Sequence, residues 1–162
     1  MNTGIESFID HLQRGDVEAF NTCRPTPHQD EEPPDLSGII IPRGTNLSGV
    51  NLKRMNLCKA RFINVDLTNA SLKDTLLEGA LFSECILRKT DFSRAVLDYA
   101  TFRKTETAEA YFWGTSFTRT DLRDISDPKE IRRIRKEGEH ADRAFFSEEI
   151  VGIPRAPYLR FV

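Results

Sequence analysis

From Leu47 onward a large apolar residue returns every five positions: Leu47, Leu52, Leu57, Phe62, Leu67, Leu72, Leu77, Phe82, Leu87, Phe92, Leu97, Phe102, then Thr107, then Phe112, Phe117 and Leu122. Fifteen of the sixteen positions are Leu or Phe. Two places earlier in each unit stands a small or modest residue, from Thr45, Val50 and Met55 to Ala110, Thr115 and Thr120. The other three positions are mostly polar. A period of five suits neither common element. On an α-helix five residues end about 140° from the start, so the apolar row spirals around the surface. On a flat strand an odd step turns the side chain to the opposite face. Every Leu and Phe points inward only if the chain turns a corner at each unit, and four corners close a coil of twenty residues. Sixteen units then give four coils, a stack about 20 Å tall at the usual strand spacing of ~4.8 Å. Internal repetition of this kind is the signature of a solenoid.

The units Asn69-Ala70-Ser71-Leu72, Ala60-Arg61-Phe62 and Thr120-Asp121-Leu122 resemble the A(D/N)LXX unit of the pentapeptide-repeat family. That resemblance covers about half of the chain. It implies a mainly β fold, a right-handed quadrilateral β-helix of about four coils. Short α-helical caps are expected at both ends. Upstream, Asp35-Leu36-Ser37-Gly38 reads as a further unit, with Ile39 and Ile41 as the next inward pair. Leu36 and Leu47 are eleven residues apart, so one residue is inserted near Pro42-Arg43-Gly44. Thr107, set among Thr105, Glu106, Ala108 and Glu109, predicts a local bulge.

The ends of such a stack expose an apolar section and open strand edges. Ile5, Phe8, Ile9 and Leu12 recur with helical spacing. Gly15 breaks that run, and Asp16 can cap a second short helix carrying Val17 and Phe20. Similar helical preludes are common in the bacterial members of the family, where they lid the first coil. Residues 25–34 form an acidic, proline-rich linker. At the other end Asp127-Pro128-Lys129-Glu130 is a helix start, with Ile131 and Ile134 on its apolar face and Gly138 interrupting it. A second helix is expected near 139–149, with Ala141, Ala144 and Phe145 inward. The tail 151–162 is apolar and either packs back on the protein or makes a partner or homodimer contact; packing back is the expectation. The chain thus divides into an N-terminal cap and linker (1–34), a repeat domain (35–124) and C-terminal helices with the tail (125–162).

Charge changes the picture little. The net charge is −2, so no global field selects nucleic acid, which is not an expected partner. Residues 45–124 carry twelve bases and ten acids. No run approaches the ~18 apolar residues of a membrane span, and the N-terminus has acids where a secretory signal carries bases. The expected location is the cytoplasm, with no membrane partner. Cys23, Cys58 and Cys85 have no metal-like spacing and fit a reducing compartment. Cys85 takes a small inward position, whereas Cys58 points outward.

No catalytic, cofactor or metal motif stands out. His11, His28 and His140 lie far apart in sequence. The chain therefore reads as a non-enzyme without cofactors. Candidates for partner binding are the outward residues Leu76, Val96, Tyr99, Arg103, Tyr111 and Trp113, since exposed aromatics and Arg anchor protein interfaces. Tyr111 and Trp113 also lie near the C-terminal helices, which are placed to roof them. The run Arg132-Arg133-Arg135-Lys136 reads as a solvated helix face. The expected function is a protein–protein interaction module, most concretely a bacterial inhibitor or immunity-type protein that blocks a partner enzyme or toxin. The resemblance supplies two alternatives. One is a DNA mimic that protects DNA gyrase, for which a long, acidic rod is needed. The other is a secreted effector or structural adaptor.

Overall fold

The computed structural model describes residues 3–27, 31–125 and 127–146, with the side chains of residues 3–7 left aside. Helices α1 (Thr3–Arg14) and α2 (Val17–Cys23) precede strands β1 (Ile40–Ile41), β2 (Arg61–Ile63), β3 (Leu81–Ser83) and β4 (Thr101–Arg103). Helix α3 (Pro128–Glu137) and a single 3-10 turn (Ala141–Arg143) follow. The strands pair in parallel in the order β1-β2-β3-β4. Isolated parallel bridges repeat the same offset on the other sides: Asn46 to Asp66, Ser71 to Asp91, Leu76 to Val96. Each coil is therefore four units of five residues, and the fold is a four-sided β-helix.

The sides are identified by their axial residues. The first carries Leu47, Leu67, Leu87 and Thr107; the second Leu52, Leu72, Phe92 and Phe112; the third Leu57, Leu77, Leu97 and Phe117; the fourth Phe62, Phe82, Phe102 and Leu122. All sixteen are buried. On the fourth side the rings of Phe62, Phe82 and Phe102 stack at centroid distances of 5.0 and 4.9 Å. On the second, Phe92 and Phe112 stack at 5.4 Å. One coil thus lays like on like over the next, giving parallel ring contacts along the axis.

Polar groups are satisfied by the same repetition. At four of the inward threonines, Thr75, Thr90, Thr115 and Thr120, the buried hydroxyl donates to the axial carbonyl of the coil below. Thr90 Oγ1 meets the Leu67 oxygen at 2.8 Å, Thr115 that of Phe92 at 2.7 Å, Thr120 that of Leu97 at 2.8 Å. Where the residue before the axial one is Asp or Asn, its Oδ1 accepts the backbone N–H two residues on. Asp66 does so for Thr68, and Asp91 for Ser93, both at 2.8 Å. That local bond holds the corner, which is the physical content of Asp or Asn at this place. Two residues after the axial one, the backbone enters the left-handed region in every unit from Gly49 to Arg119, with φ of 59° at Arg54, 60° at Tyr99 and 59° at Glu109.

The extra residue lies between Ile41, which pairs with Phe62, and Asn46, which pairs with Asp66. Thr45 closes that turn on the Pro42 carbonyl. The bulge expected at Thr107 is absent. Glu106 bridges Ile86 and the Ala110 N–H donates to Thr107 oxygen, as in neighbouring units. The smaller side chain is accommodated beneath α3, whose Arg133 donates to the Thr107 carbonyl.

Both ends are covered by groups that take up the open edges. Below, Asn21 Oδ1 accepts the Asn51 N–H and its Nδ2 donates to the Gly49 oxygen. Arg24 donates to the Lys53 carbonyl and Gln13 to that of Ile40. Phe8, Leu12 and Phe20 are buried in the common core. Gly15 has φ +75°, and a Cβ there would sit 2.9 Å from the Asn46 oxygen. Above, α3 starts on the Asp127 cap with Pro128 behind it and buries Ile131 and Ile134. The helix expected over 139–149 is replaced, in its described part, by the 3-10 turn and two further bridges, Glu139 to Ser116 and Phe145 to Asp121. The open edge of the last coil competes for this backbone and wins. Phe145 consequently faces outward, while Phe146 and Ala144 pack against the core. His28, Ile5 and the tail 151–162 fall outside what is described.

Candidate functional site

The six outward candidates do not gather into one cluster. Leu76 and Val96 are bridge partners in one column of the third side. Tyr99 closes that side at its corner with the fourth, and Arg103 lies on β4. Tyr111 and Trp113 flank the buried Phe112 on the second side. Leu76 is 38% exposed, Tyr99 52%, Tyr111 55% and Trp113 64%. Helix α3 thus leaves Tyr111 and Trp113 open. Ile40 and Phe145, both more than half exposed on the fourth side, were not singled out from sequence. Phe145 was assigned to a helix face, and Ile40 lies just before the inserted residue.

The corner between the second and third sides is held by charge. Arg94 grips Asp74 of the coil below through two hydrogen bonds of 2.6 and 2.9 Å. The guanidinium holds the Asp74 carboxyl below the usual carboxylate range. Next to this pair, Arg94, Trp113, Gly114, Lys136, Glu137, Gly138 and Glu139 line a shallow, open depression. Its floor is possible because neither Gly114 nor Gly138 carries a Cβ; one at Gly138 would meet the Phe117 ring at 2.5 Å.

Among the described residues no three His, Cys, Asp or Glu side chains are placed to hold a metal ion. His11 sits 3.4 Å from Asp16 at the turn between α1 and α2, a helix-end contact. Cys85 is buried and its thiol is pushed up by desolvation. The Glu130 carboxyl is raised chiefly by burial, offset by Arg133, with whose guanidinium it pairs. It is part of the upper cap. Opposite charges recur within each side. The second side sets Lys53, Arg54, Lys73 and Arg94 against Asp74 and Asp91, and the first sets Arg88 and Lys89 against Asp66, Glu106 and Glu109. No side is a continuous acidic surface.

Residues 43–112 match the family model of the pentapeptide repeat region. This chain carries a pentapeptide-repeat region. No curated protein matches the sequence. Among solved structures, a pentapeptide repeat protein from the cyanobacterium Nostoc PCC 7120 is 21% identical, with 71% of this chain and 86% of that one covered and a TM-score of 0.50. One from the thylakoid lumen of Arabidopsis thaliana is 28% identical over 74% of this chain and 82% of that one, at a TM-score of 0.37. QnrB1, a plasmid-mediated fluoroquinolone resistance protein, is 17% identical over 56% of each chain, at 0.30. The pentapeptide-repeat solenoid is the right-handed quadrilateral β-helix of this family. Among the described residues no helix is long and apolar enough to cross a membrane.

Proposed function

We propose that this pentapeptide-repeat protein is a non-catalytic protein-binding module of the bacterial cytoplasm, and concretely an inhibitor or immunity-type protein that blocks a partner enzyme or toxin. The observation that supports it is the outward apolar and aromatic surface of the coils, exposed Leu76 and its half-buried bridge partner Val96 around one corner from exposed Tyr111 and Trp113. These side chains stand on a backbone hydrogen-bonded above and below, so they lose little freedom on binding. Aromatic anchors on a rigid surface are the usual centres of binding energy. A gyrase-directed DNA mimic requires a negative face, and the mixed charges of the sides do not supply one. The test is capture of lysate proteins on the tagged full chain beside its Leu76→Asp/Val96→Asp variant. One stoichiometric partner held by the first and lost by the second, with its activity inhibited by the wild-type chain, is expected. Identical eluates from both would overturn the assignment of the surface.

A further inference from the structure

We propose that the fourth side is an interface between two copies of this chain, packed face to face with their stacks antiparallel. Its outward column reads, from bottom to top, Ile40, Arg61, Leu81, Thr101, Asp121 and Phe145, each paired with the next. That order is self-complementary. A two-fold axis lying in this face, along the strands and between β3 and β4, inverts the height of every residue. Ile40 then meets Phe145 of the second copy, Arg61 meets Asp121, and Leu81 meets Thr101. The edge of the side obeys the same inversion: Glu84, two residues past Phe82, meets Lys104, two residues past Phe102. Each contact occurs twice, as a closed two-fold interface requires. Ile40 and Phe145 are 56% and 52% exposed on the single chain, so their meeting removes apolar surface from water. Arg61 with Asp121 and Glu84 with Lys104 set opposite charges together.

The cations of both pairs, Arg61 and Lys104, are exposed and have no ion pair among the described residues. The carboxylates have local partners, Arg123 for Asp121 and Arg43 at 3.4 Å for Glu84. A carboxylate has acceptor sites for a second cation. Arg103 and Arg123 come opposite Ser83 and Ile63, so neither is set against another cation. The column spans five strand spacings of ~4.8 Å, about 24 Å. With a side about 12 Å wide, each copy covers roughly 300 Å², against the ~800 Å² per partner of a standard interface. The dimer is therefore weak, selected by charge and dissociating on dilution. The fourth side lies opposite the second, so Tyr111 and Trp113 stay open in it.

Sedimentation equilibrium of the full chain, from about 10 μM to about 1 mM, should show a monomer–dimer equilibrium that weakens as salt rises. Arg61→Asp sets Asp against Asp at both ends of the interface, and Asp121→Arg sets Arg against Arg. Either alone should raise the dissociation constant about tenfold or more. An equimolar mixture of the two variants should dimerise again, because each offers the charge that the other now needs. Asp121 also pairs with Arg123 on its own chain, so Glu84→Lys and Lys104→Glu, both at exposed positions, repeat the test. Circular dichroism checks the fold of every variant. A chain that stays monomeric throughout the range would overturn the proposal. So would a dimer indifferent to these substitutions, the sign of contact through the chain ends or another side. Variants that weaken the dimer without recovery on mixing would refute the antiparallel pairing. None of these outcomes bears on partner capture through Leu76 and Val96, so the two readings fail separately.

Discussion

Phe82 lies at the middle of the ring stack on the fourth side and is fully buried. It is stacked on Phe62 at 5.0 Å and Phe102 at 4.9 Å, with Phe92 edge-on at 5.8 Å. Truncation to Ala removes the ring's transfer energy and leaves a cavity, for which buried Phe→Ala changes cost about 3–5 kcal/mol. The closely hydrogen-bonded coils above and below leave little room for collapse, so the upper part of that range is expected. Leu at the same place fills most of the volume, as it does at Leu67 and Leu87, but forfeits the ring contacts. Those are worth about 0.5–1.5 kcal/mol per pair beyond area burial, so Phe82→Leu should cost about 1–3 kcal/mol. Urea unfolding followed by far-UV circular dichroism and by Trp113 fluorescence measures both. The two probes should coincide if the short array unfolds as one unit. A loss below about 1 kcal/mol for Phe82→Ala would refute the axial placement. Equal losses for Leu and Ala would refute the separate contribution of stacking.

The inward threonines give a paired test. Thr115→Val removes a bonded hydroxyl and should cost about 1 kcal/mol, whereas Thr105, whose Oγ1 is buried without a partner, should become slightly more stable as Val. Both are read from urea midpoints. Gly138→Ala drives a methyl into the Phe117 ring and should cost about 1–3 kcal/mol; Phe117→Leu in the same chain should recover part of the loss. Thiol titration of the native protein should modify exposed Cys23 first and half-buried Cys58 more slowly. Cys85, buried and with its thiolate disfavoured by desolvation, should react only on unfolding.

The periodic core was legible because a five-residue recurrence has one geometric solution that keeps every large residue inside. The turn at Pro42–Gly44 was legible for a similar reason, as a single residue out of phase. The left-handed corner residue was not. Arg, Lys, Asn, Asp, Glu and Tyr all occupy it, with Gly at only a few units such as Gly49, Gly79 and Gly114. The coil imposes that backbone conformation against local preference, so no composition signal survives. Thr107 and the region after Gly138 misled for a common reason. Each was read alone, while the last coil's edge and α3 decide the conformation there. The candidate surface was legible only in part. Outward placement follows from the repeat, but which outward side chains stay open depends on the caps, and sequence spacing does not show how they lie. The depression beside Trp113 needs Gly114 and Gly138 to meet in space, although they are 24 residues apart.

The chain turns a corner every five residues and lays one residue of each unit on the axis. Placing Asp singly at Ser71, Leu72 and Lys73, three adjacent residues of one unit, and recording the thermal midpoint by circular dichroism tests this directly. An unpaired carboxylate on the axis costs far more than the fold can supply, while on an outward position it is solvated. The account predicts that Leu72→Asp unfolds the protein and that Ser71→Asp and Lys73→Asp leave the midpoint nearly unchanged. A folded Leu72→Asp variant with an unaltered midpoint would contradict it.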